Sequence, residues 1–158
     1  MRTISRMKLA SSLVVASCLA SCLPDDACTL VGCNSGLGVD VPGLGADAFA
    51  VDVESPTFSG TVACPALDAN GLRQSPTETT GDLAGDDRIV EAACDANGVT
   101  LSFLRADSEL PSAATFVVTS GDRTFTATSN DIGYAVSQPN GPSCEPTCSF
   151  AVLVAQPS

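Results

Sequence analysis

The sequence predicts an all-β protein, a β-sandwich of immunoglobulin-like or related Greek-key type stapled by disulfides. Three observations predict it. After residue 22 apolar residues alternate with period two almost everywhere, and no stretch there keeps a helical period over ten residues. Gly, Pro, Asn and Asp punctuate the alternation at close spacing, which sets off seven to nine short strands. Six cysteines follow residue 22, an even number in a chain that opens like an exported one.

The opening is MRTISRMK, with Arg2, Arg6 and Lys8 and no acid, followed by an apolar run from Leu9 to Ala20 broken only by serines. A basic stretch ahead of a short apolar one is the pattern of a cleaved signal helix. The run falls short of the roughly 20 apolar residues that a spanning helix needs. Charge and apolarity are segregated along the chain and not around a helix face, which argues against an amphipathic core helix.

The run ends in Leu19-Ala20-Ser21-Cys22. These residues resemble the lipobox of bacterial lipoproteins. Small side chains fit a peptidase pocket, and a thiol can be alkylated by a diacylglyceryl group. The resemblance implies that Cys22 becomes the first residue and carries a thioether-linked diacylglycerol and usually an N-acyl chain such as palmitate. Two or more chains anchor stably where one binds marginally. Val15-Ala16-Ser17-Cys18 fits the same pattern. Cleavage there would leave a short apolar region and seven cysteines, and an odd thiol is a liability in an oxidising compartment. Cys22 is therefore the expected lipidation site. The resemblance divides the chain into a signal peptide at 1–21, lipidated Cys22 with a tether to 27, and a single domain at 28–158. It also implies attachment to the cell envelope. Leu23, and not an Asp, follows Cys22, which leans toward the outer membrane.

Cleavage before Cys22 leaves 137 of the 158 residues, one domain's worth. Four arginines remain (Arg73, Arg88, Arg105 and Arg123) against 18 acids, a side-chain charge of −14, with no lysine and no histidine. Nucleic acid is excluded as a partner, because its recognition needs a basic footprint. Anionic lipid is excluded as an electrostatic partner for the same reason, so the membrane contact is expected to be the lipid on Cys22.

Along the domain, AFAVDV alternates Phe49, Val51 and Val53 with Ala50 and Asp52, and TFSGTVAC puts Phe58, Val62 and Cys64 on one face. The stretch 70–87 is rich in Thr, Gly, Asp and Pro, lacks alternation and reads as a long loop. Asn97-Gly98 reads as a two-residue hairpin turn, which sets Cys94 opposite Leu101 and Ala92 opposite Phe103. Gly121-Asp122 reads as a second turn, which sets Val118 opposite Phe125, Phe116 opposite Ala127 and Thr119 opposite Thr124. These registers predict strands over 88–96, 99–105, 114–120 and 123–129. Tyr134 and Val136 mark a short strand inside a polar loop at 130–144, and CSFAVLVA puts Cys148, Phe150, Val152 and Val154 on one side of the last strand. The sequence DANG occurs at 68–71 and again at 95–98, which turn chemistry explains.

Six cysteines allow 15 connectivities. Position favours Cys64 with Cys94, both on inferred core faces near strand ends. Local loop closure favours Cys144 with Cys148 and Cys28 with Cys33. The alternative joins Cys28 or Cys33 to Cys144 or Cys148 and staples the first segment to the last. Zinc is disfavoured, since there is no histidine and neither close cysteine pair has the two-residue spacing of a zinc knuckle. The residues Cys28, Gly32-Cys33 and Gly36-Leu37 with Val39 and Val41, and PNGPSCEPTCSFAVLV near the end, resemble small cysteine-containing lipoproteins of high-GC bacteria such as myxobacteria. That likeness implies a compartment and disulfides, and no ligand.

No catalytic site is expected. A nucleophile needs a base, and there is no histidine, no G-x-S-x-G elbow and no lysine after the signal. A small sandwich with no Trp and one Tyr is a poor platform for glycoside chemistry. No cofactor is expected. Asp82, Asp86 and Asp87 in GDLAGDDR form the densest acid cluster and a weak calcium candidate, although their spacing matches no EF-hand. The expected function is a non-enzymatic, membrane-anchored lipoprotein, a protein-interaction or structural module of the envelope. The alternative is a small ligand-binding module, calcium-assisted through the 70–87 loop.

Overall fold

The computed structural model describes residues 33–85, 90–104, 109–141, 144 and 146–158. The signal segment 1–21, Cys22 with its tether to 27, Cys28, Asp86 and Asp87 lie outside the described residues.

The alternating segments form strands, and the regular ones bury every second residue, as with Phe49, Val51 and Val53. In chain order these are β1 (Gly36–Asp40), β2 (Phe49–Glu54), β3 (Ser59–Cys64), β4 (Glu78–Thr79), β5 (Val90–Asp95), β6 (Gly98–Phe103), β7 (Ala114–Ser120), β8 (Arg123–Ser129), β9 (Ala135–Ser137), β10 (Cys148–Val154) and β11 (Gln156–Pro157). The first sheet has the order β5-β6-β1-β10-β9 and the second β11-β8-β7-β2-β3-β4. Neighbours run antiparallel except β1 and β10, which are parallel. The inward faces of both sheets meet in one core that includes Leu37, Val51, Val62, Leu101, Phe116 and Val118. Phe58, at the start of the β3 hairpin arm, meets Phe103 of β6 edge-on with ring centroids 5.8 Å apart. The chain is thus an all-β sandwich, and its core combines many valines with five of the six phenylalanines and with Leu37, Leu44, Leu83 and Leu101.

The β7–β8 hairpin has the expected register, with Val118 opposite Phe125, Phe116 opposite Ala127 and Thr119 opposite Thr124. Gly121 has φ 61° at its turn, a value that glycine reaches without a Cβ clash. The β5–β6 hairpin differs from its expected register by two residues: Cys94 faces Val99, Ala92 faces Leu101 and Val90 faces Phe103. The turn is Ala96-Asn97, and Gly98 already belongs to β6. The glycine answers a different need. A Cβ at position 98 would overlap the carbonyl oxygen of Val39, so only glycine lets β6 approach β1 there. A shift of two keeps every side chain on its face, so the alternation holds in either register.

The segment expected as a long loop at 70–87 is partly built into the fold. Its β4 pairs with β3, and Leu83, in a 3-10 turn at Gly81–Leu83, is buried in the core. Upstream, the Asp68 carboxylate accepts from the amides of Asn70 and Leu72, at 2.8 and 2.9 Å. Those two backbone donors hold its carboxyl below the usual carboxylate range.

The two described arginines serve the same connection, residues 41–48 between β1 and β2. Arg73 donates from Nη1 to the carbonyls of Pro65 (2.6 Å) and Asp47 (2.9 Å), and from Nη2 to Gly45 (2.8 Å) and Ala96 (3.4 Å). Its guanidinium lies 4.6 Å over the Phe49 ring. Desolvation there lowers its pKa, and the nearby Asp47 acts in the opposite sense. Arg123 donates to the carbonyls of Gly43 (2.9 Å) and Leu44 (2.5 Å) and lies over Phe125. The planar fork of Arg suits such multiple carbonyl contacts, which a Lys ammonium would not reproduce.

Cys64 and Cys94 are bonded, with Cα atoms 5.7 Å apart, and tie β3 of the second sheet to β5 of the first. The two local pairings do not form. Cys148 bonds Cys33, with Cα atoms 6.1 Å apart, and so is not paired with Cys144; Cys33 is in consequence not paired with Cys28. The cause is the parallel pairing of β1 with β10, which sets Gly36 beside Phe150. Cys33 and Cys148 each precede those residues by two or three positions, so parallel strands bring the two thiols to the same end. Cys144 is also disulfide-bonded, and its partner is not among the described residues.

Candidate functional site

The strand register places the outward-facing residues of the first sheet in three rows running across β5, β6, β1 and β10. The rows are Glu91–Ser102–Gly36–Phe150, Ala93–Thr100–Gly38–Val152 and Asp95–Gly98–Asp40–Val154. The inward residues of the same strands, among them Val90, Leu101, Leu37 and Ala151, are in the core. On β10 both sides are apolar, so the pattern alone leaves its direction open. The inner side carries Ala151 and Leu153. The side that the sequence groups with Cys148 points outward, and Phe150, Val152 and Val154 are 41%, 50% and 52% exposed.

Gly36 and Gly38 form the floor beside this stripe. A Cβ at Gly36 would fall 2.7 Å from the Phe150 ring, and one at Gly38 would stand 3.6 Å from a Val152 methyl and 3.8 Å from Phe150 Cζ. Phe150 therefore lies across bare backbone and shields it, a common answer to glycine in a strand. That accounts for the ring. It does not account for Val152 and Val154, which extend the apolar surface along the strand.

A groove of about 370 Å³ follows from this arrangement, lined in part by Gly38, Asp40, Asp95, Thr100, Phe150 and Val152. One side is apolar and the other is rimmed by two carboxylates. Thr100 donates its hydroxyl to Asp95 at 2.5 Å, which orients that carboxylate. The side chain of Asp40 has no hydrogen-bond partner among the described residues, although its backbone carbonyl accepts from the Ala155 amide at 2.8 Å. The sequence does contain the signal for this groove. In GLGVD the residues Gly36 and Gly38 alternate with Leu37 and Val39, which marks a strand with one apolar face and one bare face. Glycine's low strand propensity hides it as a strand.

A second concavity, a cleft of about 510 Å³, lies between the segment around Arg73 to Thr79 and the first sheet, where Glu91 and Cys94 of β5 and Ser102 of β6 line it. Every nitrogen of the Arg73 fork that faces a carbonyl is engaged, and its Nε is buried without a partner. Those contacts tie the segment around Arg73 to the rest of the fold.

The acid cluster is not brought together within the described residues. Asp82 accepts from the Ser59 amide at 2.8 Å and fastens the 3-10 turn to β3, while Asp86 and Asp87 lie outside the described residues. Among the described residues, no group of three or more His, Cys, Asp or Glu is placed to hold a metal ion. Tyr134 donates to the Pro111 carbonyl at 3.0 Å, and burial pushes its phenol up to about 12. It borders the core and does not face the groove. Compared with family models, with curated proteins and with solved structures, the chain finds no match in any of the three.

Proposed function

We propose that the chain is a non-enzymatic lipoprotein of the bacterial cell envelope, anchored by lipid on Cys22, whose disulfide-stapled sandwich acts as a protein-interaction module. The contact surface is the outer face of the first sheet. One observation carries this reading: the contiguous exposed stripe Phe150, Val152 and Val154 beside a glycine floor. Exposed apolar residues scattered singly are ordinary, whereas a contiguous row on one strand is a feature of contact surfaces. Two kinds of support concern the compartment. The leader ends in Leu19-Ala20-Ser21-Cys22, and the described cysteines Cys33, Cys64, Cys94 and Cys148 form two bridges, as suits an oxidising location. A lipid anchor leaves the domain free to present one face, and a net charge of −11 for the whole chain keeps that face from binding anionic lipid.

Site-specific photo-crosslinking in native membranes tests the reading. A photoreactive residue at position 152 is expected to give a discrete crosslinked protein. The same residue at Thr119, exposed on the second sheet, is expected to give none. Equal labelling from both positions, or none from 152, would contradict it.

A further inference from the structure

We propose that the occupant of the first sheet's outer face is a cationic, apolar polypeptide segment of a partner protein, a deepening that rests on the interaction reading above. The segment lays the aliphatic stem of a lysine or arginine across Gly38, between Val152 and Thr100, and sets the charged head against Asp40 and Asp95.

Charge complementarity is the first argument. The row Asp95–Gly98–Asp40–Val154 places two carboxylates beside the apolar stripe with a glycine between them. Both described arginines are committed to backbone carbonyls, Arg123 to Gly43 and Leu44 and Arg73 to Gly45, Asp47, Pro65 and, at 3.4 Å, Ala96 beside Asp95. No hydrogen bond or ion pair among the described residues reaches the Asp40 carboxylate. A positive partner therefore meets charge that the fold has not already used.

Shape is the second argument. A groove of about 370 Å³ with a backbone floor suits a long side chain lying flat. Lys and Arg bury their methylene stems on apolar surface and keep their heads in water. Here Val152 and the Phe150 ring supply the apolar surface, and Asp95, oriented by Thr100, supplies the polar end. An alternating apolar and basic strand satisfies both, since its period of two matches the spacing of rows on the sheet.

The same observations disfavour the other occupants. A second copy would bring a like-charged chain, net −11, against the same carboxylates. Anionic lipid headgroups would be repelled, because juxtamembrane attraction requires basic residues.

The test uses the full lipidated protein in detergent and three fluorescent synthetic peptides alternating Val with Lys, Glu or Ser. Anisotropy titrations at rising salt are expected to rank Lys first, with binding that weakens as salt is added. Asp40→Asn and Asp95→Asn are each expected to weaken the Lys peptide about threefold, as for single exposed charge pairs. Together they should flatten the salt dependence, while Val152→Ser weakens all binding. Far-UV circular dichroism of each variant checks that the fold is kept. Equal binding of the Glu and Lys peptides, or indifference to both Asn variants, would overturn the proposal. So would Val152-dependent self-association in sedimentation, or Val152-dependent binding to phosphatidylcholine vesicles. If photo-crosslinking from position 152 finds a partner whose contact segment is not basic, the cationic occupant is refuted while the interaction reading stands. If it finds none, the interaction reading itself fails.

Discussion

Removing the bridge between Cys64 and Cys94 should cost the domain several kcal/mol, and the structure sets the size. The bond joins residues 30 positions apart and crosses from one sheet to the other. In the chain-entropy account, a bridge closing that loop removes about 12 cal/mol/K from the unfolded chain, which is about 3.6 kcal/mol at 25 °C. Cys64 is buried and Cys94 half-buried, so replacing both with alanine also forfeits about 1 kcal/mol of packing. The Cys64→Ala/Cys94→Ala variant should therefore lose between about 3 and 5 kcal/mol. Urea unfolding followed by far-UV circular dichroism measures this, since the chain has no tryptophan. The midpoint should fall by about 2 M, and the m-value should rise because the unfolded chain is less constrained. A loss below about 1 kcal/mol with an unchanged m-value would refute the reasoning, because the bridge would then not be restricting the denatured state.

Three further outcomes are expected. Arg73→Ala should cost about 2 kcal/mol, and Arg123→Ala about half that, since four carbonyl contacts and a ring are lost in one case and two carbonyls and a ring in the other; urea unfolding should give that order, and the reverse order would contradict the assigned roles. Gly98→Ala should cost about 3 kcal/mol or more, because the new methyl meets the Val39 carbonyl and backbone on both sides must move; a near-neutral melting temperature would show that β6 and β1 do not approach as described. The single tyrosine, Tyr134, should titrate near 12 in the folded protein and near 10 once unfolded, read by absorbance of the phenolate. Its folded value is the raised one, so the stability it confers is present below pH 10 and is lost as pH rises from 10 toward 12.

What was legible in the sequence depended on whether a feature is local. The β7–β8 hairpin was legible to the residue, because Gly121-Asp122 fixes the turn and Thr marks one face while Phe, Val and Ala mark the other. The β5–β6 register differs by two from the expected one because Asn97-Gly98 has the composition of a turn, whereas Gly98 serves the contact with Val39, a residue nearly 60 positions earlier. The β1 strand was hidden for the same reason: its glycines weaken the local strand signal and become useful only once β6 and β10 flank it. The disulfides divide along the same line. Cys64 and Cys94 sit on alternating faces that a reader can follow. The bond from Cys33 to Cys148 depends on a parallel pairing across the length of the domain, which no local spacing announces. The candidate face inherits this difficulty. Its apolar stripe was readable in CSFAVLVA, but its outward direction was decided by which side of β10 the parallel partner β1 turned toward the core.

The lipid anchor is the premise on which the cellular role rests, and the N-terminal peptide of the mature protein tests it most directly. The protein is extracted from native membranes with detergent, digested and analysed by mass spectrometry. The first peptide is expected to begin at Cys22 and to carry a diacylglyceryl group with an additional acyl chain, and Cys22→Ala should abolish it while Cys18→Ala leaves it intact. An unmodified peptide running through Ser21 and Cys22, or a mature chain that begins at Cys18, would contradict the account.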